Sequence, residues 1–302
     1  MSYGFGGRLT KSFPSQVIVD VTDVCNLDCI HCPHEALTKT EHYGPFFLSD
    51  ALSRKAVDEV REHGSQYMRY CAEGEPLVHP GIYDMLDYAV AESGTFVTLT
   101  TNGTTMDDRR MQRLLKSGIH MIDVSLDAYH AETYKKIRRA DLEIPRSNTA
   151  RLAEIAKGTG TKIVVSFIEQ EHNRDEVGAF QDFWLGLGAI PVVRKLHTAA
   201  GAIRGPAPIA SRKPCVYPWE RIVVGPNGKL NFCPQEWFGG AVVADYRETT
   251  IKEVWSGAFY DGLRDAHLKN KCFGLCKNCP DWQQTRWPGE GRAYADLVAE
   301  LS

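Results

Sequence analysis

Cys25, Cys29 and Cys32 stand in a C-x3-C-x2-C array, close enough for one loop to turn three thiolates toward a common centre. Such a set can hold three irons of a [4Fe–4S] cluster and leave the fourth iron open to a small molecule. Cys272, Cys276 and Cys279 repeat the spacing, and Cys71, Cys215 and Cys233 complete the nine cysteines. With three at 25–32 and five between 215 and 279, the thiols are not scattered as apolar filler would be. In a reducing compartment this clustering points to metal or redox chemistry rather than to disulfides. Too little sequence follows Cys279 to build a barrel behind it, so the N-terminal array is the candidate for the open cluster. For the C-terminal thiols, a four-thiolate structural zinc site is an alternative, because a C-x2-C pair with two distant thiols also suits zinc.

Chemistry at the first loop needs a frame. Val17–Thr22 is a β-branched run that reads as a strand leading into the array. Ser49 or Asp50 can cap a helix with Leu52, Ala56, Val57 and Val60 on one face and Gly64 past its end. Further strands are expected at 67–71, 96–100, 121–126, 162–168 and 191–195, with helices at 82–91, 107–117, 151–157 and 177–187. Strands alternating with helices predict βα units in a parallel sheet, an α/β fold. Residues 198–214 turn Gly-, Ala- and Pro-rich and read as a linker. Beyond them, Arg221–Gly225 and Lys229–Cys233 flank Pro226-Asn227-Gly228, a hairpin signal. A helical stretch from Ile251 to His267 leads into the second array. The expected organisation is an N-terminal extension (1–14), a catalytic domain (15–197), the linker and a smaller cluster-binding domain (215–302).

Other short stretches mark the strand ends in order: Glu73-Gly74-Glu75-Pro76, Thr101-Asn102-Gly103 and Val124-Ser125-Leu126-Asp127. Behind the cysteine array, this series resembles the signature of the radical SAM superfamily, whose members share a partial (β/α)6 barrel. The resemblance implies that Cys25, Cys29 and Cys32 hold a [4Fe–4S] cluster that chelates S-adenosylmethionine (SAM). Glu73, Gly74 and Glu75 are similar to the family's GGEP turn, whose backbone meets the methionine amino group; Glu73 departs from it, standing where the first Gly would. Asn102 follows the third strand. Ser125 and Asp127 end the fourth, where the family commonly contacts the ribose, and Ser166 on the fifth is a further candidate. In parallel α/β folds the C-terminal strand ends carry the chemistry, so these residues converge on one rim. His31 occupies a position that is usually aromatic. Its imidazole can stack, donate a hydrogen bond or tune the cluster potential, or simply pack as a loop residue.

Cys215, twelve residues, Gly228, four more and Cys233 resemble the opening of a SPASM or Twitch domain. The short downstream set matches the Twitch form, which carries one auxiliary [4Fe–4S] cluster. The resemblance implies Cys215, Cys233, Cys276 and Cys279 as its ligands and leaves Cys272 spare. It covers nearly the whole chain.

The chemistry so implied begins with an electron passed to the SAM sulfonium, which releases a 5′-deoxyadenosyl radical that abstracts hydrogen from the substrate. Loss of a proton and an electron then gives a ketone or imine, with the auxiliary cluster as acceptor; hydrogen returned by a thiol gives an epimer. The layout is similar to that of the radical SAM dehydrogenases of aminoglycoside (butirosin) biosynthesis and of related sugar and aminoglycoside epimerases. The expected activity is dehydrogenation of a small polyhydroxylated substrate, sugar- or aminocyclitol-like, with a flavodoxin- or ferredoxin-type electron donor. One alternative is an epimerase with Cys272 or Cys71 as hydrogen donor. A peptide-modifying enzyme is another, although the short N-terminus has no room for a peptide-recognition domain. A non-catalytic iron–sulfur protein is a third, against which the intact array and Glu75-Pro76 argue. Arg194 ends the sixth strand and could bind or deprotonate a hydroxyl-bearing radical; surface charge is the bland reading of it and of Lys195, Glu169 and His197.

Composition sets the outer bounds. The chain has 302 residues, 43% hydrophobic and 24% charged, as in ordinary soluble globular proteins. A net charge of −3 supplies no basic footprint for nucleic acid. No apolar run reaches the ~18 residues of a membrane span. Met1–Pro14 lacks the apolar core of a signal peptide, so a cytoplasmic location without a membrane partner is expected.

Overall fold

The computed structural model describes residues 3–71, 73–203 and 212–302. Among them, nine strands form one sheet: β1 (Gln16–Asp20), β2 (Tyr67–Cys71), β3 (Phe96–Thr101), β4 (Met121–Ser125), β5 (Lys162–Glu169), β6 (Ile190–Lys195), β7 (Arg221–Val224), β8 (Lys229–Asn231) and β9 (Val242–Asp245). The order is β6-β5-β4-β3-β2-β1-β7-β8-β9. β1 to β6 are parallel neighbours in chain order, and β6 does not pair back onto β1, so the α/β barrel is partial.

Helices α1 (His34–Leu37), α2 (Asp50–His63), α3 (Ile82–Glu92), α4 (Asp108–Lys116), α5 (Ala131–Arg138), α6 (Glu143–Ile155) and α7 (Val177–Gly186) lie in the crossovers. Local chemistry starts them where the sequence says it should. Ser49 Oγ accepts the Leu52 N–H at 3.4 Å at the head of α2, and Asp107 Oδ1 accepts the Arg110 N–H at 2.8 Å at the head of α4. Ala56, Val57 and Val60 of α2 and Met111 and Leu114 of α4 are buried against the sheet. Between β4 and β5 the sequence pattern predicts only 151–157, whereas the chain forms both α5 and α6. Pro145 obscures α6, but it sits in the first turn, where its missing N–H has no intrahelical acceptor to lose.

The C-terminal part holds α8 (Tyr217–Glu220), α9 (Ile251–Trp255), α10 (Ala258–Leu268) and α11 (Tyr294–Leu301). The stretch expected as one helix from 251 to 267 is two, because the chain is extended at Gly257. β7 runs parallel to β1, from Gln16 opposite Arg221 to Val19 opposite Val224, so this part shares the barrel's sheet. β7 and β8 form the expected hairpin, closed by Gly228 at φ +76° with its N–H on Gly225 O at 2.9 Å. Of the expected linker, residues 204–211 lie outside the described residues.

One face of the sheet packs on the helices through residues such as Val17, Val19, Met68, Tyr70, Val97, Leu99, Ile122 and Val124. The alternate residues form the lumen. There Tyr67, Phe96, Met121 and Val164 bury Ala295, Leu297 and Val298 of α11, which stops the lower end of the barrel. Burial of Leu297 and Val298 contributes about 1.5–3 kcal/mol each. No helix among the described residues is long and apolar enough to cross a membrane.

Candidate active site

Beyond β1 the chain folds back on itself around Asp23. Its carboxylate accepts the N–H groups of Gly44 at 3.1 Å and Phe46 at 2.6 Å, and a His34 ring nitrogen meets its carbonyl at 2.8 Å. Within the array, Cys25 Sγ accepts the Leu27 N–H at 3.4 Å, and the Cys32 N–H donates to Cys29 O at 3.1 Å. The Ile30 N–H reaches Ile137 O of α5 at 2.9 Å, which ties the loop to that helix. All three thiols are half-buried. Burial pushes Cys25 up to about 11 and Cys32 up to about 12, so metal has to displace protons there. Among the described residues no three His, Cys, Asp or Glu side chains converge as ligands of a single ion. Three thiols on one short loop suit the separate irons of a cluster.

The turn after β2 lies against this loop. Gly74 N–H donates to Thr22 O at 3.0 Å and Glu75 N–H to Val24 O at 2.8 Å. A Cβ on Gly74 would stand 2.0 Å from Val24 O, so only glycine permits the approach. The buried Glu75 carboxylate accepts the Thr101 hydroxyl at 2.6 Å, the Leu77 N–H at 3.0 Å and the Asn102 N–H at 2.7 Å. Asn102 Nδ2 then donates to Asn26 Oδ1 at 2.9 Å, and Asn26 Nδ2 to Thr104 Oγ1 at 2.8 Å. One network therefore joins the β2 turn, the end of β3 and the cysteine loop. Sequence reasoning missed Asn26 and Thr104; proximity to Cys25 and to the Asn102 turn was their only signal. Glu73 donates its N–H to Asp20 Oδ1 at 2.9 Å. Burial, then the Asp20 charge, holds the Glu73 carboxyl well above the usual carboxylate range, and burial does the same to Asp20.

At the end of β4, Asp127 is buried in the left-handed region at φ +62°. Such a backbone costs about 1–3 kcal/mol unless its surroundings hold it. Here Oδ1 accepts the Ile168 N–H at 2.7 Å, Oδ2 accepts Arg138 Nη2 at 2.5 Å, and the carbonyl accepts Asn173 Nδ2 at 2.8 Å. His31 Nε2 lies 3.5 Å from the same carboxylate. Arg138 Nη1 also stands 3.9 Å from Cys29 Sγ. Arg138 escaped the sequence reading because α5 did. Ser125, half-buried, is the last residue of β4, two positions before Asp127.

Ser166 and Arg194 face the lumen. The Ser166 hydroxyl donates to the fully buried Asp123, and Arg194 forms an ion pair with the same carboxylate. Arg69 Nη2 lies 4.0 Å from it and, with Nε, donates to Thr100 Oγ1 at 3.0 and 3.1 Å. Both guanidinium groups stack on Tyr294 of α11, 4.5 and 5.0 Å from its ring centre. Arg194 is thus interior charge, whereas Lys195 turns outward onto Glu169, and His197 Nδ1 accepts the Ala199 N–H at 3.1 Å. Cys71 ends β2 on the lumen face; burial pushes its thiol up to about 12.

A second centre lies beyond β1. Cys215, Cys233, Cys276 and Cys279 line a single largely apolar cavity walled in part by Phe232 and Trp282. Cys272 is not among its walls; its thiol points to Ala266 O at 4.0 Å. The Cys215 N–H donates to His267 Nδ1 at 3.3 Å, and burial holds this imidazole down to about 4, hence neutral. Arg212 donates to Cys276 O and brings a positive charge to the thiols. Four thiols around one largely apolar cavity suit a fully ligated iron–sulfur cluster.

The model of the radical SAM superfamily matches residues 19–180, and that of the SPASM iron–sulfur cluster-binding domain matches 215–280. The probable GTP 3′,8-cyclase of Methanococcus maripaludis is 27% identical over 185 residues, 61% of this chain and 58% of that protein, so the match spans little more than half of the relative's length. BtrN in complex with AdoMet and 2-DOIA superimposes with a TM-score of 0.63 at 19% identity, covering 88% of this chain and 92% of BtrN. Streptococcus suis SuiB bound to precursor peptide SuiA gives 0.70 at 13% identity, covering 95% and 73%. At such identities the solved structures share the fold with this chain.

Proposed function

The chain belongs to the radical SAM superfamily, and on that footing we propose that it dehydrogenates a small polyhydroxylated substrate of sugar or aminocyclitol type. Membership brings SAM and a [4Fe–4S] cluster, and the matched C-terminal domain brings an auxiliary iron–sulfur cluster. Bound and reduced, the SAM site supplies a 5′-deoxyadenosyl radical. In this reading Cys25, Cys29 and Cys32 hold that cluster. The Glu73–Glu75 backbone, Asn102 and Ser125 receive SAM at the rim, and Asp127, His31 and Arg138 fix the loop behind it. Residues 15–197 act as the catalytic unit and 215–302 as the auxiliary unit, joined by 198–214.

Turning an alcohol into a carbonyl removes one hydrogen atom, one proton and one further electron, so the second electron needs an acceptor. The gathering of Cys215, Cys233, Cys276 and Cys279 in one apolar cavity, with Cys272 turned away, carries the proposal. A centre closed by four thiolates has no place for substrate and is suited to taking up an electron. The likeness to BtrN, solved with AdoMet and 2-DOIA, agrees with a small-molecule substrate.

One observation favours epimerisation instead. Cys71 lies on the lumen face, and burial keeps it a thiol, which a hydrogen-atom donor must be. Turnover of candidate sugars and aminocyclitols in heavy water separates the two readings. Dehydrogenation yields a carbonyl with no solvent deuterium in a C–H bond. An epimer carrying one deuterium, lost in Cys71→Ala or Cys272→Ala with both clusters intact, would replace the dehydrogenase reading. Absence of 5′-deoxyadenosine after adding dithionite and SAM would refute both.

A further inference from the structure

Between the ends of β5 and β6 and the Gln283–Arg286 segment lies an open cavity of about 390 Å³, apart from both cysteine centres. That volume is in the range of small-ligand sites. Its walls set Arg174, Lys195 and Arg286 against one carboxylate, Glu169. Lys195 is paired with Glu169, but among the described residues neither Arg174 nor Arg286 has a carboxylate within 4.0 Å. Arg286 Nη1 donates to the Gln283 and Thr285 carbonyls, at 2.9 and 3.1 Å. Among the described residues, these two guanidinium groups of the cavity thus lack an ion-paired carboxylate, the one on its wall, Glu169, being paired with Lys195.

Gln170 supplies a second, independent sign of a ligand. It lines the same cavity, is only 9% exposed, and its Nε2 has no hydrogen-bond partner among the described residues. A buried donor is seldom left so unless something outside the chain completes it. Its backbone is held in place, because the main-chain N–H donates to Asn173 Oδ1 at 2.8 Å. Asn173 Nδ2 in turn binds the carbonyls of Asp127 and Ile168 at 2.8 and 2.9 Å. The residue that holds the Asp127 turn therefore also sets Gln170, which registers the cavity to the rim. On the opposite wall Gln284 donates to Leu196 O and pins the C-terminal segment to the end of β6.

We infer that this cavity binds a phosphoryl group carried by the substrate, with Gln170, Arg174 and Arg286 as its donors. The inference rests on the reading that the substrate is small and polyhydroxylated and adds that it is phosphorylated. Guanidinium forks from two walls plus a buried amide offer more donors than the two oxygens of a carboxylate accept, which favours a tetrahedral oxyanion.

Calorimetric titration of the cluster-loaded protein with SAM tests this, using glucose 1-phosphate, glucose and inorganic phosphate as probes. Glucose 1-phosphate is expected to bind at least ~10-fold more tightly than glucose, and Arg174→Gln and Arg286→Gln each to weaken it by ~10-fold, as loss of one charge-assisted hydrogen bond implies. Equal binding of glucose and glucose 1-phosphate overturns the inference, as does unchanged affinity in both variants. Inorganic phosphate binding as tightly as glucose 1-phosphate and lost in both variants upholds the anion site and instead removes the polyhydroxylated-substrate reading.

Discussion

Arg138 binds Asp127 and addresses Cys29 at the same time: Nη2 is 2.5 Å from Asp127 Oδ2 and Nη1 3.9 Å from Cys29 Sγ. Burial by itself disfavours the guanidinium charge, but the neighbouring groups, the Asp127 carboxylate first among them, outweigh it and hold Arg138 cationic. The left-handed turn of β4 and the cysteine loop thus share one buried cation.

Removing that cation leaves the buried Asp127 carboxylate with only the Ile168 N–H and the His31 ring beside it among the described residues. Arg138→Met is expected to destabilise the metal-free protein by about 3–5 kcal/mol, and Arg138→Met with Asp127→Asn to recover part of it. Denaturant unfolding measures both. A loss below about 1 kcal/mol in the single variant would show that the pair holds nothing together.

The two cysteine sets should fail separately. Replacing Cys25, Cys29 and Cys32 together by Ala is expected to remove about four irons and abolish SAM cleavage. Cys215→Ala or Cys233→Ala should damage only the second cluster, and Cys272→Ala neither. Iron content and electron paramagnetic resonance report on each. SAM cleavage by the triple variant would sink the assignment of the first set.

Gly74→Ala forces a methyl group to 2.0 Å from Val24 O, so the turn has to move off the cysteine loop. The expected cost is about 1–3 kcal/mol of stability, as for overpacking elsewhere. SAM affinity should fall at least ~10-fold, about 1.4 kcal/mol. Equilibrium dialysis with SAM checks it; wild-type affinity would mean that the turn does not shape the cofactor rim.

His79 gives the fold a pH dependence away from either cluster. Its Nδ1 accepts the Gly81 N–H at 3.0 Å, so Nε2 carries the hydrogen that meets Leu48 O at 2.9 Å. Burial lowers its pKa below the ordinary 6.5. The unfolded chain therefore binds the proton first, and stability is full above 6.5 and declines as pH falls from there toward the folded value. Unfolding temperatures between pH 7.5 and 5 should drop more steeply in wild type than in His79→Gln. A His79 resonance titrating at or above 6.5 would contradict this.

Much of the frame was legible because its signals are local. Tyr67–Cys71 is a strand with the bounds its pattern predicts, and Ser49 and Asp107 cap the helices they precede. The array at 25–32 needs only one loop to gather its thiols, and the crowding at Gly74 involves a neighbour at the adjoining strand end. What escaped depends on partners far apart in the chain. Arg138 meets Cys29 across 109 positions, Arg194 meets Asp123 across 71, and Tyr294 of α11 reaches Thr98 across 196.

The sequence by itself determined which residues could carry the chemistry, because cysteine spacing and strand periodicity are written within a few residues. The tertiary structure decided what those residues face. The parallel pairing of β7 with β1 attaches the second cysteine centre to the barrel, and the lumen that α11 enters makes Arg194 and Ser166 parts of a charge cluster around the buried Asp123. No short pattern encodes either event, since each depends on which buried surfaces and unpaired strand edges remain once the barrel has formed.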